Sequence, residues 1–170
     1  MANKIKQFTL GLVESATEYS IKKFIQETGI TPVDYMFSNN KIGQGKILIV
    51  YTDDEEATEK ELPKICRFSQ QKSEDVERSI VDYIQTEILD KKASIKDIRK
   101  VDEERIAFEI DPKTEDTKTY EVHVCELPMD NNTCDLILDN FLESVEIPDD
   151  YSIVGEALWC GRYLILITSK

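Results

Sequence analysis

His123 and Cys125 stand two residues apart in a stretch of alternating character, and in a β-strand that spacing puts both side chains on one face. With Cys134 and Cys160 they make four soft donors, the number a tetrahedral zinc ion takes. The spacing argues against such a site. A strand pair with no turn between its members is not a zinc-knuckle arrangement, and Cys134 and Cys160 would have to converge from separate elements. The expectation is no metal, with the cysteines, Cys66 included, as small buried hydrophobes. Nucleophilic catalysis fares no better. His123 is the only histidine, so it alone could act as base to Cys134 or Cys160, and neither cysteine sits in a family-type local signature. Phosphate loops, dinucleotide fingerprints, H-E-x-x-H and EF-hand patterns do not occur. No catalytic residue, cofactor or metal is assigned, and a non-enzymatic protein is expected.

Charge is more informative. Lys91, Lys92, Lys96, Arg99 and Lys100 crowd ten residues in which only Asp97 opposes them. Cations there complement a helix C-terminus. In a sharper reading, Lys96, Arg99 and Lys100 receive a phosphorylated or nucleotide ligand. The opposite sign dominates from Asp53 to Glu61, where six carboxylates, led by Asp53, Asp54, Glu55 and Glu56, accompany one lysine. Such a run is solvated, and it resembles a polyanion in charge. Trp159, the only tryptophan, follows Leu158 and precedes Cys160-Gly161 at the expected tip of the last hairpin. A large aromatic there either caps the core edge or anchors a partner.

The 170 residues carry 34 acidic and 21 basic side chains, a formal net charge of −13. That balance argues against wrapping duplex nucleic acid or lying on an anionic membrane, and favours a cationic partner, expected to be a protein, or simple solubility. No apolar run approaches the roughly 18 to 20 residues of a bilayer span, and the first residues lack a signal-peptide core, so a cytoplasmic location is expected. Usage heavy in Lys, Ile, Asp and Glu suggests an AT-rich bacterium or its phage.

The elements that must position these residues repeat. Hydrophobic period predicts helices over Ala16 to Thr28, Ser73 to Leu89 and Thr133 to Val145. Each has a start signal: the capping box Ser15 to Glu18, the acids after Ser73, and Asn132 or Thr133. Ile21 and Phe24 align with Ile80 and Tyr83 and with Leu138 and Phe141, one helical face that should seat each helix on a sheet. First strands are expected at Ile5 to Val13, Lys64 to Ser69 and Thr119 to Leu127. Middle strands are expected at Pro32 to Phe37, Ser94 to Lys100 and Asp150 to Gly155. The last strands, Lys46 to Tyr51, Arg105 to Ile110 and Arg162 to Ile167, each open on a basic residue.

The expected fold is therefore α+β, with three β-α-β-β repeat units at 1–53, 62–112 and 117–170, in one compact domain. Helices should cover one face of small mixed sheets, the first and second strands of each unit running parallel. The last strands of units one and three are continuously apolar, which predicts burial on both faces. Cover for the second face would come from pseudo-threefold packing of the three sheets or from pairing of two chains, which leaves a homo-oligomer open.

The functional expectation is an acidic interaction protein that binds and occupies a macromolecular partner. Its leading version is a phage- or mobile-element-like inhibitor of a host protein, with Trp159, Leu158 and Asp53 to Glu56 at the contact. The alternative is a small-ligand protein with sites between repeats at Lys96, Arg99 and Lys100.

Overall fold

The computed structural model describes residues 3–11, 14–39, 44–54, 56–68, 72–102, 104–112, 118–128, 130–159 and 161–169; for 14, 15, 73, 131, 132 and 159 it describes the backbone alone. Three consecutive segments share one element order. The first comprises β1 (Lys4–Thr9), α1 (Glu14–Thr28), β2 (Thr31–Asn39) and β3 (Gly45–Thr52). The second comprises β4 (Lys64–Arg67), α2 (Ser73–Tyr83) running on into a π-helical turn (Ile84–Leu89), β5 (Ser94–Lys100) and β6 (Arg105–Asp111). The third comprises β7 (Tyr120–Glu126), α3 (Asn131–Ser144), β8 (Tyr151–Trp159) and β9 (Arg162–Ser169).

Local chemistry sets several boundaries. β1 stops at Thr9, short of the Val13 expected, because Leu10 turns into the core and its N–H donates to Gly45 O at 2.9 Å. Asp130 opens α3: the Thr133 hydroxyl donates to Asp130 Oδ2 at 2.7 Å and Cys134 N–H to Asp130 O at 2.9 Å. The Ser15 and Asn132 caps fall outside the described side chains. Lys72 precedes α2 without a side-chain cap bond, leaving Glu74 and Asp75 to meet the helix dipole. Gly29 ends α1 at φ +65°, and Lys92 takes the same left-handed turn at φ +58° two residues before β5.

The sheets are antiparallel, not mixed. In each the third strand lies in the middle, giving the orders β1-β3-β2, β4-β6-β5 and β7-β9-β8. The first and second strands run parallel, as expected, yet never touch, since both are antiparallel to the strand between them. Each sheet carries one register shift in its second strand, between Pro32 and Asp34, Ile95 and Asp97, and Ile153 and Gly155. Opposite them stand Tyr51/Val50, Ile110/Glu109 and Ile167/Leu166.

Aromatic contacts seat each helix on its own sheet. Phe24 meets Phe8 and Tyr51 edge-on, Tyr83 stacks on Phe108 at 5.7 Å between centroids, and Phe141 meets Tyr163 edge-on. Burial pushes the Tyr83 phenol well above its usual range, the nearby Cys66 thiol adding to the effect.

The segments join in chain order. One buried cluster unites Leu10, Ile21, Tyr35, Ile47 and Ile49 of the first with Val101 and Ala107 of the second, flanked by Leu62 and Ile65. A second unites Val76, Ile80, Ile84 and Ile88 of the α2 region and Ile106, Phe108 and Ile110 of β6 with Tyr120, Val122, Val124, Leu164 and Leu166 of the third. Helix α2 thus lies between two sheets. The third cluster, Cys125, Tyr163, Ile165 and Ile167 with α3, belongs to segment three alone. No buried cluster among the described residues joins segments one and three, so pseudo-threefold packing finds no support. The expectation for the last strands also needs correction. β9 is buried on both faces and β6 nearly so, whereas β3 alternates, with Leu48 and Val50 only half-buried.

Candidate interaction surfaces

The acidic connector is an anchored ridge. Lys60 N–H donates to Pro32 O at 2.8 Å, and its ammonium lies 3.1 Å from Asp34 Oδ1 and 3.4 Å from Glu109 Oε1. The only lysine of the run therefore fastens it to both the first and second segments. Asp53, Asp54, Glu56, Glu59 and Glu61 point to solvent, while Glu55 lies outside the described residues. Asp54 shapes the turn, accepting Glu56 N–H on its carboxylate at 3.0 Å.

The basic stretch is not gathered into one site. Arg99 and Lys100 are successive residues of β5, opposite Ala107 and Ile106, so they point to opposite sheet faces. Arg99 bridges segments, reaching Glu109 at 2.6 Å and Tyr35 O at 3.4 Å. Lys91 binds Glu87 at 2.8 Å. Lys96, the extra residue at the β5 register shift, does line a groove between segments, with Val33, Glu59, Lys60, Glu61 and Glu109. Three carboxylates there outnumber two ammonium groups, an environment that disfavours phosphate.

The cysteines and the histidine divide between core and surface. Cys66 and Cys125 are buried, and Cys134 is half-buried. Burial pushes the Cys125 thiol up, with Cys134 and Glu126 adding to the effect. His123 Nε2 lies 3.6 Å from Glu121 Oε2, two residues before it on β7. Among the described residues no group of three or more His, Cys, Asp or Glu is placed to hold a metal. Cys160 lies outside the described residues, as does the Trp159 side chain. Leu158 beside it is 59 % exposed, opposite Tyr163 on the sheet face that carries α3.

Two apolar surfaces were missed by pattern alone. On sheet one, rows Ile5, Val50 and Gln7, Leu48, Met36 share the face away from α1, with Ile5 59 % and Met36 39 % exposed. On α3, Leu142 is 44 % exposed beside the residues that seat the helix. Neither surface is marked by composition or by hydrophobic period; only tertiary placement exposes it.

Among the described residues no helix is long and apolar enough to cross a membrane. Comparison with family models, curated protein sequences and solved structures finds no match for the chain.

Proposed function

We propose that the chain is a non-enzymatic acidic interaction protein that binds and occupies a cationic surface of a macromolecular partner, as a phage- or mobile-element-like inhibitor of a host protein would. The observation that carries this reading is the connector from Asp53 to Glu61. Its lysine is tied to Pro32, Asp34 and Glu109, while its described carboxylates stay exposed. A ridge held in place before encounter loses less freedom on binding than a loose acidic tail, and its field steers a basic surface toward it.

The same reading takes the three segments, 1–53, 62–112 and 117–170, as copies of one β-α-β-β unit in the cytoplasm. The register shifts support common descent of the segments, because all three fall opposite residues aligned in the central strands. The alternative ligand site at Lys96, Arg99 and Lys100 draws no support from their divergent placement.

The immobilised chain, exposed to lysate of its source cells at about 0.1 M salt, should retain proteins that added duplex DNA displaces. Neutralising Asp53, Asp54, Glu56, Glu59 and Glu61 to their amides should abolish that retention. Retention that persists at about 0.5 M salt, or that duplex DNA leaves untouched, would overturn the reading, since exposed charge contacts are screened there.

A further inference from the structure

Each junction inside the chain sets the back of one sheet against the preceding segment. Positions 48 and 50 of β3 align with Ala107 and Glu109 of β6 and with Leu164 and Leu166 of β9. Ala107 lies in the cluster shared with Ile21, Ile47 and Ile49, and Glu109 binds Lys60 and Arg99 at the same seam. Leu164 and Leu166 lie in the cluster shared with Ile80 and Ile84 of the α2 region. Leu48 and Val50 have the same placement, yet among the described residues they are only half-buried and join no buried cluster.

The opposite half of the junction recurs on the helices. Ile25 and Ile84 align with Leu142; the first packs into the cluster shared by segments one and two, the second is buried in that shared by segments two and three, and Leu142 is exposed. Glu18, Glu77 and Asp135 also align. Glu18 lies 3.7 Å from Lys64 on the next segment's first strand, and Glu77 Oε1 accepts Val124 N–H at 2.8 Å on the next. Asp135 is exposed on α3. A basic counterpart is present too. Arg105, which opens β6, reaches back to the Gly11 carbonyl of segment one, and Lys46 opens β3 at the aligned position.

We infer that the occupant of the open sheet face is a second copy of this chain, docked head to tail, with the α3 flank around Leu142 and Asp135 on the face formed by Ile5, Met36, Leu48 and Val50. The contact would make between chains the junction made twice within the chain. It is heterologous, so it propagates into a ring or an open filament. The inference rests on the reading of the segments as copies. With a net charge of −13 like chains repel, so added salt strengthens this contact, the reverse of its effect on a partner held by the acidic ridge.

Sedimentation of purified chain tests it. The average mass should rise with concentration below about 1 mM. Leu48→Lys and Leu142→Lys, both on exposed or half-exposed surface, should each weaken association by more than about tenfold. Mixed, they should form a two-chain complex that goes no further, because each supplies the half the other lacks. Circular dichroism checks the folding of each variant, and Ile5→Lys at the exposed edge replaces Leu48→Lys if that variant unfolds. A chain that stays monomeric throughout, association that only one substitution abolishes, or a mixture that restores nothing would overturn the proposal. Retention of partners by the monomeric variants is measured separately, so failure here leaves the acidic-ridge reading intact.

Discussion

Both seams bury an apolar cluster, but the one between segments one and two is also stitched at its edge by ions. At the first, Lys60, Asp34, Arg99 and Glu109 bridge the surface while Asp102 and Arg105 pair below it at 2.7 Å. At the second, the cluster's frame includes two directional contacts: Ile95 N–H donates to Tyr120 Oη at 2.9 Å, and Val124 N–H to Glu77 at 2.8 Å. The same strand order thus meets its neighbour by two chemistries. The difference follows from single positions, Glu109 in β6 standing where Leu166 stands in β9. An apolar seam tolerates salt and pH, and an ionic one fixes register through directional contacts that both variables weaken.

The largest effect should come from placing a charge in the apolar seam. Leu166 is fully buried, so Leu166→Asp strands a carboxylate among Ile80, Ile84 and Val122 and should cost more than about 4 kcal/mol by urea unfolding. Val50→Asp, at the aligned position on the open face of β3, should cost less than about 1 kcal/mol. Equal costs would erase the distinction between covered and open faces.

Next comes the buried pair of the ionic seam. Asp102→Ala leaves the Arg105 guanidinium buried without its carboxylate, and about 3 to 5 kcal/mol of stability should be lost. Gly45 adds a geometric constraint, because a Cβ there would collide with the Asp102 carboxylate. In segment three the aligned Arg162 meets an exposed Glu126 at 3.9 Å, so Glu126→Ala should change stability by less than about 0.5 kcal/mol. A loss as large as that for Asp102 would show that exposure does not govern these pairs.

Most of the element order was legible because the helices are amphipathic and the aligned aromatics Phe24, Tyr83 and Phe141 mark their sheet-facing sides. The burial of Cys66 and Cys125 was legible for the same reason of alignment. The burial of β3 was not. Its apolar run resembles that of β9, and hydrophobicity along a strand does not reveal whether a segment lies behind it. Nor could the charge pattern show that Lys60 is engaged by Asp34 and Glu109, since both come from elements far away in sequence. The proposed contact surface was read where composition is extreme, from Asp53 to Glu61. The open faces have ordinary composition, and only tertiary placement exposes them.

The smallest effect concerns pH at the ionic seam. The hydrogen bond from Lys60 holds the Asp34 carboxyl below its ordinary value, against the opposing effect of burial and with help from Tyr35 N–H. A carboxylate whose value is depressed on folding stabilises the fold above its ordinary value of 3.8 and loses that contribution as pH falls through the depressed one. Acid should therefore loosen the connector first. Between about pH 5 and pH 3 the protection factor of the Lys60 amide, which donates to Pro32 O, should fall more than that of Val124 in the apolar seam. Because Lys60 keeps Glu109 at 3.4 Å and half of Asp34 is exposed, the loss should be local and should leave global unfolding nearly unchanged. Asp34→Asn removes the titrating group and should flatten the pH dependence at Lys60. A variant that still loosens with acid at that amide would move the sensitivity to Glu109 and its pairing with Arg99.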